Sequence, residues 1–216
     1  MMSEAVREKL RALRLKALAA HLEEVLEMSG QKNWSTLKTL EHLADIELEA
    51  RKENRQASSF KHSRLLDKPT IDQFDFEFHP SRRKQKTLIQ NLMNLEFVKA
   101  KKDIILIGNP GVGKTYVAKC LAYAATQATI RVLFTTAMDM INHLIAAEVD
   151  HSLLKKLHYY QSPELLVIDE VGYLPLGQQG SNLFFQVVSE RHEKRSTMII
   201  TSRTATPMSV PFFTPL

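Results

Sequence analysis

Cysteine is almost missing from the 216-residue chain, with Cys120 the only one. A lone cysteine can form neither an internal disulfide nor a multi-cysteine zinc site, which fits a reducing compartment and leaves Cys120 a packing residue. Glycine and proline are also sparse, seven and eight residues, which excludes collagen-like, low-complexity and disordered chains. Long apolar runs are lacking: the longest, Cys120 to Ala125, has six residues, against the roughly 20 that a membrane span needs. The first stretch, MMSEAVREKLRALRLKAL, mixes acids and bases where a secretory signal would need an apolar segment. These absences predict a folded chain that stays in the cytoplasm and has no membrane partner. What is there is ordinary for a globular protein, 44% hydrophobic and 25% charged, and the length allows one domain with a small appendage.

Charge is distributed unevenly. The net charge is +5, from 29 Lys and Arg against 24 Asp and Glu. Residues 1–55 hold ten bases and ten acids, a balanced solvent-facing surface. Residues 80–102 hold Arg82, Arg83, Lys84, Lys86, Lys99, Lys101 and Lys102 against Glu96 alone. Such a patch can track phosphates of DNA or serve as a solvated face beside a strand.

Apolar residues recur every three or four positions from Val6 through Leu10, Leu13, Leu18, Leu22 and Leu26, predicting one amphipathic helix closed by Gly30. Trp34, Leu37, Leu40, Ala44 and Leu48 continue that period behind Ser35, an N-cap candidate, to about Ser58. The two make a helical hairpin. Phe60 to Pro80, with alternating Phe74, Phe76 and Phe78, reads as an extended connector. The expected division is a helical domain over 1–70, an α/β core over 71–202, and an irregular tail over 203–216 that holds three of the eight prolines and no acid.

From Asp103 short β-rich runs alternate with helix-length segments: Ile104 to Ile107, Arg131 to Thr135, Leu165 to Ile168 and Thr197 to Thr201. That alternation predicts an α/β fold, a parallel sheet with helices on both faces.

Directly after the first run comes a complete G-x-x-x-x-G-K-T: Gly108, Asn109, Pro110, Gly111, Val112, Gly113, Lys114 and Thr115, with Tyr116 opening a helix-compatible stretch. The glycines let backbone amides turn toward phosphates, and the helix N-terminus adds partial positive charge. Lys114 reaches the β and γ oxygens, and the Thr115 hydroxyl takes a place on magnesium. Residues 108–116 are therefore the candidate nucleotide contacts. Leu165-Leu166-Val167-Ile168 then delivers Asp169 and Glu170 at a strand end, where open parallel sheets bind ligands. Asp169 is suited to Mg2+, and Glu170 to orienting the attacking water, with Lys114 the second catalytic candidate. No N-K-x-D occurs, which favours ATP over GTP. His143, His151 and His158 lie on a helical stretch without metal-ligand spacing. Tyr159 and Tyr160 beside Lys155 and Lys156 fit either DNA stacking or packing on the sheet.

These features together resemble the IstB family, the AAA+ ATPase helpers of insertion-sequence transposases, related to DnaC helicase loaders and the initiator DnaA. The phosphate loop, the L-L-V-I-D-E strand, Ser189-Glu190-Arg191-His192-Glu193, the strand ending Thr201-Ser202, the helical hairpin and the F-D-F connector at Phe74 to Phe76 carry the resemblance. It implies a P-loop NTPase sheet ordered five-one-four-three-two, assembly of ATP-bound subunits on DNA, largely without sequence preference, and engagement of a cognate transposase through the helical domain. It also implies an Asn after Thr201-Ser202, where this chain has Arg203, and a last strand, arginine finger and lid beyond it. The irregular tail therefore predicts a truncated or frameshifted copy that binds ATP but hydrolyses little. Alternatives are a DnaC-like helicase loader and a non-catalytic remnant binding through its first 70 residues.

Overall fold

The computed structural model describes residues 2–171 and 177–202. Three helices open the chain: α1 (Met2–Ala12), α2 (Lys16–Gln31) and α3 (Thr36–His62). The single helix expected from Val6 to Gly30 is two. Arg14 turns to φ 60°; its N–H donates to the Arg11 carbonyl, and that of Leu15 to the Leu10 carbonyl, both at 2.9 Å. Those two bonds form a Schellman closure. Likewise α2 ends at Gln31 rather than Gly30, with Asn33 in the left-handed position.

A fresh helix start needs acceptors for its first amides, and Leu15 offers none. Glu47, on α3, supplies one from thirty residues away. Its Oε2 accepts from Ala17 N at 2.9 Å and Leu18 N at 3.1 Å, and Arg51 Nε donates to its Oε1 at 2.8 Å. Ser35 caps α3 as its sequence predicts, accepting from Lys38 N at 3.3 Å. The buried face of α3 is Thr39, Leu43 and Glu47, whereas the periodic set Leu37, Leu40, Ala44 and Leu48 is exposed. Because Glu47 must face α2 to cap it, Leu43 and Thr39 above it turn inward, and Leu37, Ala44 and Leu48 rotate away. The helical core is small, with Leu22, Val25 and Leu43 at its centre.

One compact unit ends at Ala57 and a second starts at Ser58, earlier than the boundary expected near residue 70. The end of α3 already belongs to the second unit. Ser59 donates to the Ile130 carbonyl, Phe134 N donates to the Ser63 carbonyl at 2.8 Å, and Leu65 is buried in that unit's core.

The second unit holds a 3-10 turn (Ile71–Gln73), α4 (Pro80–Leu92), α5 (Glu96–Lys99), β1 (Ile104–Gly108), α6 (Lys114–Gln127), β2 (Val132–Thr136), α7 (Ala137–Val149), α8 (Leu153–Gln161), β3 (Leu165–Val171), α9 (Gly177–Arg191) and β4 (Ser196–Ser202). The expected connector is thus partly helical, at the end of α3 to His62 and at Ile71–Gln73, and it closes on Pro80, which sits at the first position of α4, where its missing N–H costs nothing. The four strands are parallel, in the order β1-β4-β3-β2, which is the expected order short of its fifth strand among the described residues. Side chains alternate across the sheet. Ile104, Val132, Leu165, Val167, Met198 and Ile200 pack with α6 and the connector; Leu133, Leu166, Ile168 and Ile199 pack with α7, α8 and α9. At the β1 edge of the described sheet Ile107 is 54% exposed.

Arg191 locks the N-terminal ends of the strands. It is buried, and donates to the carbonyls of Tyr160, Gln161, Pro163 and Ser196 and to Thr197 Oγ1. Beside it Asp103 Oδ1 accepts from Thr197 N at 2.7 Å, and Oδ2 meets His192 Nδ1 at 3.0 Å. The S-E-R-H-E segment is therefore a structural clasp.

Candidate functional site

The strands' C-terminal ends gather every residue singled out for phosphate chemistry. β1 runs into the loop, whose Gly111 and Gly113 have φ of 80° and 93°, values that side chains resist and that let successive amides point inward as an anion-binding nest. α6 starts immediately after Gly113, so its unpaired first-turn amides and dipole face the same space. Thr115 is exposed there, with its hydroxyl available.

Lys114 bends back over the loop, and its Nζ donates to the carbonyls of Gly108 at 2.9 Å and Asn109 at 3.0 Å. Partial burial lowers its pKa, and the Asp169 carboxylate opposes that shift. Lys114 and Asp169 therefore feel each other across the site although 55 positions separate them. Two weak carbonyl acceptors hold an ammonium that phosphate oxygens would attract more strongly.

Asp169 and Glu170 diverge at a β-bulge in β3, where the register with β4 shifts between Ile168 and Val171. Asp169 is buried, and its Oδ1 accepts from Glu170 N at 2.8 Å. Glu170 is exposed, with φ of 60°. A non-glycine residue held in that region stores strain, which concentrates at functional sites. The bulge gives the two acids different environments, one buried and one facing solvent. β4, which lies between β1 and β3 in the sheet, brings Thr201 and Ser202 to the same end. Arg203 and the tail over 203–216 lie outside the described residues.

Tyr116 directs its ring away from the loop mouth. It stacks on Phe74 with centroids 5.7 Å apart, and its hydroxyl donates to Gln73 Oε1 at 3.2 Å. Burial pushes the Cys120 thiol up to about 11, in keeping with a packing role. His143 Nδ1 lies 2.8 Å from the Tyr160 hydroxyl, and Tyr160 is fully buried, so of the two tyrosines only Tyr159 reaches the surface.

The basic stretch is partly committed to local partners. Arg83 pairs with Glu77 at 2.6 Å and Lys99 with Glu96 at 2.7 Å, while Lys86 lies over the Phe76 ring. Arg82 turns to the phosphate loop. By sequence Arg82 belongs to the basic patch; the neighbouring F-D-F run and Pro80 are the sequence signals that its segment packs against the rest of the unit.

Comparison with known proteins shows the family and the fold. The family profile described as IstB-like ATP binding protein matches residues 8–208. A relative from Bacillus thuringiensis subsp. berliner, named for ATP binding and for insertion sequence IS232, is 35% identical over 190 residues, 88% of this chain and 75% of its own. Another, from Pseudomonas aeruginosa and named for IS21, is 32% identical over 191 residues, 88% of this chain and 71% of its own. Among solved structures, the DnaC helicase loader superposes with a TM-score of 0.57 at 23% identity, over 66% of this chain and 81% of that one. AMPPCP-bound DnaA from Aquifex aeolicus superposes with a TM-score of 0.59 at 17% identity, over 68% of this chain and 47% of that one. At such identities the structural likeness is one of fold.

Proposed function

The chain belongs to the IstB-like ATP-binding protein family, and from that premise we propose that it is the ATP-dependent helper of an insertion-sequence transposase. Its phosphate loop, Gly108 to Thr115, would bind ATP through inward amides and Lys114. Thr115 and Asp169 would hold Mg2+; an exposed hydroxyl at a helix start and a buried carboxylate at the end of β3 are oxygen donors of the kind that ion takes. When bound, the ion would neutralise phosphate charge. Glu170, exposed at the strand end, would orient the attacking water. The observation that carries the reading is the convergence of the loop, Lys114 and the Asp169-Glu170 bulge at the C-terminal ends of the strands.

DNA would be the macromolecular substrate, bound largely through its phosphates, with the cognate transposase and further copies of the chain as protein partners. The names of the curated relatives favour this over helicase loading, which rests on likeness of fold alone.

Thermal unfolding with and without Mg-ATP tests the site. A hundredfold excess over Kd raises stability by about 2.7 kcal/mol, and Lys114→Ala abolishes the rise. No shift in the unaltered chain would refute nucleotide binding. Co-purification with the transposase supports the helper role; co-purification with a replicative helicase instead would replace it with helicase loading.

A further inference from the structure

The outer side of the phosphate loop is gripped by a residue the nucleotide reading leaves without a task. Arg82, in the first turn of α4, donates from Nε to the Val112 carbonyl at 2.9 Å, from Nη2 to the Gly111 carbonyl at 3.4 Å and from Nη1 to the Asp75 carbonyl at 3.0 Å. Its guanidinium lies over the rings of Phe74 and Phe78, 4.6 Å from each centroid. Phe74 in turn stands against Gly113, where an added Cβ would come within 2.6 Å of the ring and 3.2 Å of Arg82 Nη2. The connector and the loop are thus in contact along the loop's back.

A trans peptide points its C=O and the following N–H in opposite directions. Holding the carbonyls of Gly111 and Val112 outward therefore aims the amides of Val112 and Gly113 inward, where a phosphate would lie. Gly111 and Gly113 flank these peptides, and glycine rotates through alternative backbone regions at little cost. Such a loop needs an outside hold to stay preorganised, and the planar fork of an arginine can satisfy several carbonyls while stacked on rings, which an ammonium cannot.

We propose that Arg82 is a positioning residue of the phosphate site, fixing the Val112 and Gly113 amides from outside the loop and so setting affinity for the phosphate chain. This rests on reading Gly108 to Thr115 as a triphosphate site. It makes the connector part of the nucleotide site's rigidity and gives the basic residue at position 82 a role unrelated to DNA.

The test measures ATP, ADP and AMP affinities of the full chain by competition against a fluorescent ATP analogue, for the unaltered protein, Arg82→Ala and Arg82→Lys. The amide resonances of Val112 and Gly113 are followed without ligand. Losing charge-assisted bonds of this kind corresponds to about ten- to a hundredfold in affinity. Arg82→Ala should weaken ATP and ADP by that factor, leave AMP within about twofold, and shift both amide resonances; Arg82→Lys should fall between. Equal weakening of ATP and AMP would mean a general packing role and overturn the proposal, as would unchanged ATP affinity or unmoved amides. If Arg82→Ala does not fold, Arg82→Lys supplies the same comparison, since its stem still covers Phe74. Failure of the unaltered chain to bind ATP would instead overturn the site reading, and the Arg82 proposal with it.

Discussion

In the helical unit the key buried charge is an acid, Glu47, which takes the place of a cap that α2 lacks; in the sheet unit it is a base, Arg191, ringed by carbonyls. The Glu47 carboxylate has Arg51 and two amides as partners, and these bonds, the one from Arg51 foremost, hold its pKa below the ordinary carboxylate value. Arg191 has four carbonyls and the Thr197 hydroxyl as hydrogen-bond partners, and burial pulls its pKa down, with the Asp103 charge opposing. The difference follows from what surrounds each. A thin core of three helices leaves room for solvent beside an ion pair, whereas a two-layered core must satisfy every donor internally. The units also differ in apolar economy: the central strands β3 and β4 bury nearly all their side chains, while α3 leaves Leu37, Leu40 and Leu48 in water.

The largest effect should come from Arg191→Met, which strips donors from four carbonyls and Thr197. Removing a buried hydrogen-bonded charge whose partners stay behind costs about 3 to 5 kcal/mol. Urea unfolding followed by circular dichroism should show the loss. Trp34, the sole tryptophan, lies in the helical unit, so an unmoved fluorescence transition would sharpen the contrast between the units. A matching shift of Trp34 emission would break it.

Glu47→Gln comes next, at about 1 to 2 kcal/mol, the scale of a lost helix cap, read by Trp34 fluorescence. It also carries a pH signature. A carboxylate whose folded pKa lies below the unfolded value adds stability that is fully present above the unfolded value, near 4.5, and is lost as pH falls through the folded one. The helical unit should therefore weaken below about pH 4.5 in the unaltered chain and much less so in Glu47→Gln. Equal acid sensitivity in both would show that Glu47 is not the capping charge.

The smallest effects belong to the exposed stripe. Leu37→Ser and Leu48→Ser should each change stability by less than about 0.5 kcal/mol, as surface substitutions do. Leu43→Ala, one turn away but buried, should cost about 2 kcal/mol or more. Reversal of that order would mean α3 is rotated about its axis from the arrangement described.

Strands β1 to β4 were legible to within a few residues because buried parallel strands are written as short apolar runs, Ile104 to Ile107 and Leu165 to Ile168 the plainest. The phosphate loop and the Asp169-Glu170 pair were legible because their chemistry is local: spacing alone places glycines, lysine and hydroxyl at a strand-to-helix turn. The break at Arg14 was not, because the apolar period runs through it, and a Schellman closure on arginine has no glycine to announce it. Nor was the inward face of α3, since its buried stripe, Thr39, Leu43 and Glu47, is less apolar than the exposed stripe of Leu37, Leu40 and Leu48, and only the bonds from Glu47 to α2 select it.

Where residues interact within about eight positions, as from Gly108 to Thr115, the order of side chains already fixes which atoms meet. Where the partners are far apart in the chain, Glu47 with α2, Arg82 with the Gly111 and Val112 carbonyls, Arg191 with the ends of three segments, the residue type says only that a charge must find partners. Which partners it finds depends on how helices and strands pack, because a buried charge takes whatever acceptors or donors the packing leaves unpaired.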